Sequence, residues 1–348
     1  MKSLWWKFLA LAILVYAAVR SLLTPLNSCI LDVGTGTVSP GEQVVDVIGY
    51  RTHFQDASVQ FMLLASGVVE GDTVAHWLVS REVTATDGDH AQVTFTIPQQ
   101  LPDTVLDLYA NTDVDGTLYL PNALRLENFT AGKPLAASAE IQVERNEPAE
   151  LGFPFQVVLF ETIRNLCWHV PMWFTMFLLM IIAVVNSIQY LIGGKVNNDL
   201  RAKGAVDVGL MFCLLGLITG SFWARFTWGD WWVDDPQLNG AMVTFMIYVA
   251  YAVLRASIDD PDKRARIAAV YNIFAFAMLV VLLMVLPRFT ESLHPGKGSS
   301  PAFSQYDLDD TLRWVFYPAV IGWMLVSVWL YNLNVRLDRV RLTIEERS

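Results

Sequence analysis

Trp228-Gly229-Asp230-Trp231-Trp232-Val233-Asp234-Asp235-Pro236 lies between two apolar stretches, residues 205–226 and 240–256, that are long enough to cross a bilayer. A lipid-facing helix does not tolerate three aspartates, and a solvated loop has no use for three indoles within five residues. The segment therefore reads as a loop at a membrane surface, and its flanks read as spans. Working outward, four further windows of suitable length appear at residues 4–23, 170–192, 267–286 and 312–333. The chain is 54% hydrophobic with a mean hydropathy of +0.39, a composition of the membrane class. The expectation is an α-helical multi-pass membrane protein of six spans.

Between the first and second spans lies a polar stretch of ordinary domain size. The formal net charge of −10 is unevenly shared. Residues 28–150 hold 18 acidic and 5 basic side chains, a balance that argues against nucleic acid and against anionic headgroups as partners of that stretch. It reads as an inserted all-β, immunoglobulin-like sandwich. β-rich runs recur at residues 44–49, 59–64, 76–83, 91–97, 105–110, 117–126 and 140–143, separated by Ser-Pro-Gly, Asp-Gly and Pro-Asp turns. Asn111-Thr112-Asp113-Val114-Asp115-Gly116 copies half a calcium loop, but Asn122 stands where the closing acid belongs, so a hairpin turn is expected. Asp87-Gly88-Asp89-His90 reads as a second turn. Residues 151–168 are apolar yet carry Glu161 and Arg164, which suggests an amphipathic helix on the membrane surface. A short cytoplasmic tail is expected at 336–348.

Orientation follows from the short loops. Lys2, Lys7, Lys195, Arg201, Lys203, Arg255, Lys263, Arg264, Arg266, Arg336, Arg339 and Arg341 all fall on one side if the six spans alternate. That side is cytoplasmic, and residues 28–150, the tryptophan loop and the His294 loop face outward, into a bacterial periplasm. The first span also has a signal-peptide reading, with a cleavage-like Leu26-Asn27-Ser28-Cys29, but its apolar run suits a retained helix better. Cys29, Cys167 and Cys213 form no Cys-x-x-Cys pair.

Of five histidines, His53, His76 and His90 belong to the β stretch. His169, at the start of the second span, and His294, in Leu-His-Pro-Gly, fall on the same side as the tryptophan loop. Each alone is an ordinary interfacial or loop residue. Together, beside Phe222, Trp223, Phe226, Trp228, Trp231 and Trp232 at one helix end, they suit a flat apolar ligand with charged edges and an iron needing two imidazoles, namely haem. The alternative for the aromatic cluster is a membrane-surface girdle. Arg164, Arg225, Arg288 and Arg313 are outward guanidinium candidates for propionates, each with a snorkelling alternative.

Arg164-x-x-x-x-His169-Val170-Pro171, the Trp-Gly-x-Trp-Trp-Val-x-Asp pattern from Trp228 to Asp235 and the later His294 together resemble the cytochrome c assembly family of the CcmC/CcsA type. The six spans suit its haem-handling CcmC branch. The similarity covers the first span and residues from about 154 to 335, with the tryptophan-rich loop at 222–240 inside a five-helix membrane domain at 169–335. The resemblance implies transiently bound haem b at the periplasmic surface of the cytoplasmic membrane. It implies His169 and His294 as axial ligands, contacts from Trp228, Trp231, Trp232, Asp235 and Arg164, and no catalytic residue. Implied partners are a CcmE-like haem chaperone, CcmA- and CcmB-like ABC subunits and a small CcmD-like protein. Gln237 stands where the family pattern has arginine, and the β stretch has no counterpart in short members. A haem lyase of the same superfamily and a non-haem scaffold are the competing functions. No histidine falls inside a span, which argues against haem buried at mid-membrane.

Overall fold

The computed structural model describes residues 4–56, 58–69, 72–127, 129, 131–132, 134, 152–154, 159–290, 292–294, 310–345 and 347. The chain divides into two compact units. One comprises Met1–Leu23 with Val158–Ser348, the other Thr24–Val157.

The first unit is helical, and six of its helices are long and apolar enough to cross a membrane. Helix α1 (Trp5–Ala18) runs on through a wider turn, Val19–Leu23. The others are α2 (Leu166–Gly193), α3 (Val196–Trp228), α4 (Pro236–Ala256), α5 (Pro261–Val280) and α6 (Asp310–Glu345). Their ends follow from local chemistry. α2 stops at Gly194, whose left-handed conformation lets its N–H reach the Tyr190 carbonyl at 2.8 Å. α4 and α5 each start with an aspartate cap followed by proline, Asp235-Pro236 and Asp260-Pro261.

α2 is the centre of the bundle, packing on α3, α5 and α6, while α4 lies against α5 and α3, and α1 against α6. Its inner face carries Met172, Met176, Leu179 and Met180, which meet Phe212 and Cys213 of α3 and Tyr248 of α4. At the opposite end from the tryptophan loop, Arg255 of α4 makes a two-pronged pair with Asp199 of α3 at 2.7 and 2.5 Å, both nearly buried. Lys203 bridges Asp207 and, at 2.8 Å, Asp338 of α6. These pairs let α3 and α6 continue as helix past the apolar windows into charged sequence. The expected tail at 336–348 is accordingly helical as far as Glu345.

Among its described residues the second unit is a sandwich of nine strands. In chain order the strands are β1 (Cys29–Val33), β2 (Thr37–Val38), β3 (Gly41–Tyr50), β4 (Gln60–Val69), β5 (Asp72–Val79), β6 (Glu82–Ala85), β7 (His90–Ile97), β8 (Val105–Thr112) and β9 (Gly116–Leu126). One sheet has the order β1-β3-β7-β6, the other β2-β9-β8-β4-β5. In both sheets strands distant in sequence lie side by side, so the chain passes repeatedly from one sheet to the other. Alternate residues Val45 and Val47, Phe61 and Leu63, Val93 and Phe95, and Leu106 and Leu108 fill the space between the sheets. The half calcium loop is the β8–β9 hairpin, where Asp115 accepts the His53 backbone N–H at 2.8 Å. The expected strand at 140–143 lies outside the described residues.

Two readings of the sequence need correction. The run at 76–83 is not one strand: β5 belongs to one sheet and β6 to the other, and the chain crosses between them at Ser80-Arg81. Where a surface helix is expected at 151–168, Phe153 forms a β-bridge with Leu26, and Phe160–Asn165 is a tight 3-10 turn that feeds straight into α2. His169 therefore sits within a continuous helix rather than at its tip.

Candidate functional site

Four pieces of chain meet where α3 ends: the 3-10 turn before α2, the start of α2, the loop between α3 and α4, and the segment following α5. Gly229, at φ +92°, turns the chain out of α3 directly after Trp228, and the Arg225 guanidinium holds the Gly229 carbonyl. The loop that follows leaves Trp231 and Trp232 about half exposed, at 53% and 37%. Trp231 stacks edge-on to Phe222 at 5.4 Å, and Ser221 donates to its carbonyl. The Trp232 indole donates to Asn239, whose amide donates to Asp234. The two rings are thus tethered through polar atoms while much of their apolar surface stays uncovered. Trp228 turns inward and meets the His294 ring edge-on at 5.3 Å.

Asp235 organises this end of the bundle. It is 1% exposed. One oxygen accepts the Gln237 and Leu238 backbone N–H groups at 2.9 and 3.3 Å and lies 3.3 Å from His294 Nδ1. The other accepts the Leu293 N–H at 2.7 Å. Burial pushes its carboxyl up, but hydrogen bonds from Ser292, Leu293 and Gln237 and the neighbouring His294 outweigh that, so its pKa lies below the usual carboxylate value. One carboxylate thereby caps α4, anchors residues 292–294 and faces an imidazole nitrogen.

His169 is 8% exposed and fixed from several directions. Its Nδ1 is 3.1 Å from Thr219 Oγ1, and its Nε2 accepts the Trp173 indole N–H at 3.3 Å. Trp173 and Trp223 stand edge-on to the ring at 6.1 and 5.6 Å. Arg164, one turn before α2, pairs with Glu161 and donates to the Ser21 carbonyl at 2.7 Å, while Trp168 donates to Ser21 Oγ. Arg164 thus joins the end of the first span to the start of the second.

The family described as heme exporter protein C, CcmC, matches residues 153–348. The chain belongs to the CcmC family. Among curated relatives named heme exporter protein C, that of Paracoccus denitrificans is 26% identical over 51% of this chain and 73% of its own length. That of Rhodobacter capsulatus is 28% identical over 57% of this chain and 84% of its own. That of Escherichia coli K12 is 26% identical over 40% and 54%. The family match begins after the β sandwich, which lies wholly outside it.

Of the residues singled out from the sequence, His169, His294, Trp228, Trp231, Trp232, Asp235 and Arg164 all lie in the helical unit at this end of α3. Gln237, at the place of the family arginine, contributes only its backbone to the cap of α4 in the contacts above. Sequence reasoning missed Thr219, Gly216 and Gly220, which form a shallow notch on α3 facing α2. A Cβ on Gly220 would stand 2.7 Å from His169 Cε1, and one on Gly216 would stand 2.8 Å from Trp173 Cε2. Glycines spaced by four were visible in the sequence, but the helix they accommodate was not.

The notch gives a sharp expectation. Thr219 and two indoles prevent the His169 ring from swinging away, so Gly220→Ala must displace it bodily. Overpacking of this kind costs about 1–3 kcal/mol. Thermal stability should fall by that amount. Gly193→Ala, where a Cβ meets nothing within 4 Å, is the control and should melt as wild type. Equal stability for the two variants would show that the notch does not constrain the ring.

Proposed function

We propose that this chain binds haem at the surface formed by the α3–α4 loop and passes it to a haem chaperone of the CcmE kind during cytochrome c maturation, without itself making or breaking covalent bonds. His169 and His294 are the axial ligands in this reading, Trp228, Trp231 and Trp232 line the porphyrin, and the cargo is haem b. The observation that carries it is the pair of imidazoles. His169 presents Nδ1 to Thr219 Oγ1 at 3.1 Å, and His294 Nδ1 lies 3.3 Å from the Asp235 carboxylate, beside exposed indole surface. Metal-bound histidines are commonly supported by an oxygen near one ring nitrogen, which leaves the other for the metal. This chain would supply the two imidazoles and an apolar face, and haem would supply the iron that accepts them.

Asp235 acts on His294 rather than on haem, since its oxygens are engaged with protein. Arg164 is placed for a propionate only if its pairing with Glu161 yields. The ABC-type CcmA- and CcmB-like subunits and a CcmD-like protein are the partners that family membership suggests. The absorption spectrum of the purified protein, with and without added haem, tests the reading. A low-spin spectrum that saturates at one haem per chain is expected, and no spectral change on titration would refute it.

In the same reading both termini lie in the bacterial cytoplasm and residues 28–150 in the periplasm, which the basic short loops support. Reporter fusions after Gly132 and after Lys263 should report opposite compartments. The same compartment for both would overturn this orientation.

A further inference from the structure

Thr219 and Trp173 grip the two nitrogens of His169, and their chemistry fixes where its proton sits. Thr219 Oγ1 lies 2.8 Å from the Leu215 carbonyl and 3.2 Å from the Gly216 carbonyl, which can only accept. Its hydrogen is therefore turned toward its own helix, and a lone pair remains for His169 Nδ1 at 3.1 Å. Nδ1 must then carry the N–H. Trp173 Nε1, which can only donate, points at Nε2 from 3.3 Å, so Nε2 holds the lone pair. The two contacts agree on one tautomer.

That tautomer is the one an iron ligand needs, yet the required lone pair is already covered by an indole N–H from the same helix, one turn on. The Trp173 ring fits the notch over Gly216, where a side chain would collide with it. A nearly buried imidazole with an open lone pair would lack a hydrogen bond in apolar surroundings, which costs free energy. The indole removes that cost when no haem is bound.

Resting on the assignment of His169 as an iron ligand, we propose that Thr219 is a positioning residue that holds the Nδ1–H tautomer. We propose further that Trp173 is a displaceable guard, whose N–H covers Nε2 until iron takes its place. Release of haem then exchanges an iron–nitrogen bond for a hydrogen bond that is ready to re-form, which suits a protein that must give its cargo away.

The test uses the full chain in detergent with ferric haem as the probe. Thr219→Val should weaken haem binding about ten-fold and raise the iron reduction potential, because a ligand that loses its Nδ1–H acceptor is less basic. Thr219→Ser should restore both. Trp173→Phe removes the competing donor and should tighten binding about five-fold, the effect of one ordinary hydrogen bond. In haem-free protein labelled with 15N at its indoles, the resonance missing in Trp173→Phe should shift in His169→Ala. Wild-type affinity and potential in Thr219→Val would overturn the positioning role. An indole resonance indifferent to His169→Ala, with binding no tighter in Trp173→Phe, would overturn the guard. The indole signal is read on haem-free protein, so it decides the second point even if Thr219→Val fails to assemble. A wild-type haem spectrum in His169→Ala is a separate result, which would remove the ligand assignment itself.

Discussion

Replacing His169 or His294 with alanine is expected to abolish the bis-imidazole spectrum and to lower haem affinity on the order of a hundred-fold or more, beyond the usual cost of losing ligand support alone. The two variants should differ in how they respond to added imidazole. His169 is packed between Trp173 and Trp223 with Thr219 at one edge, so its removal leaves a walled cavity with an acceptor already in place. Free imidazole should enter it and recover most of the low-spin signal. His294 belongs to the segment after α5, its side chain is 20% exposed, and its fixed neighbours are Asp235 and Trp228. Among the described residues imidazole there gains one ring contact and one carboxylate, so recovery should need higher concentration. Spectra unchanged in both single variants would place the ligands elsewhere.

Much of this architecture is legible in the sequence because bilayers impose a simple length rule. The apolar windows located all six helices of the first unit, and they erred only at the ends. The fourth window, residues 240–256, missed the first turn of α4, although Asp235-Pro236 is a cap followed by a proline and could have been read as its start. The β sandwich was legible as a class. β1 escaped because it is five residues long and shifts register between Ile30 and Asp32. β5 and β6 were fused because Ser80-Arg81 holds no glycine, proline, asparagine or aspartate to mark the break.

The candidate site was legible only in part, for a different reason. Rare residue types announce themselves, and two histidines with three clustered tryptophans were conspicuous. Thr219 and Gly220 are common residues inside an apolar helix, and their meaning lies in what faces them. His169 and Thr219 are 50 positions apart, and only the packing of α2 on α3 brings them together. The same limit applied to Asp235. The sequence offered it as a group touching the ligand, and its contacts with the start of α4 and with residues 292–294 became visible only in the structure.

That support makes Asp235→Ala the second large expectation. The variant removes the cap of α4, a loss of about 0.5–2 kcal/mol. It also leaves the Leu293 N–H without its buried acceptor and frees His294 Nδ1 from its carboxylate. Because residues 292–294 and α4 share this one anchor, the effects should appear together, as lower thermal stability and a 10- to 100-fold loss of haem affinity, roughly the range for second-layer ligand support. Asp235→Asn separates the contributions. Asparagine caps helices as well as aspartate does, so the part of the stability due to the cap should return, but its amide nitrogen cannot accept the Leu293 N–H and no charge faces His294. Haem should then remain weakly bound, with the iron potential above that of wild type. Asp234→Ala is the control, since Asp234 is exposed and accepts from the Asn239 side chain. Its haem affinity should stay within about two-fold of wild type, the scale of a surface substitution. Wild-type affinity and potential in Asp235→Asn would reduce Asp235 to a helix cap with no part in holding His294.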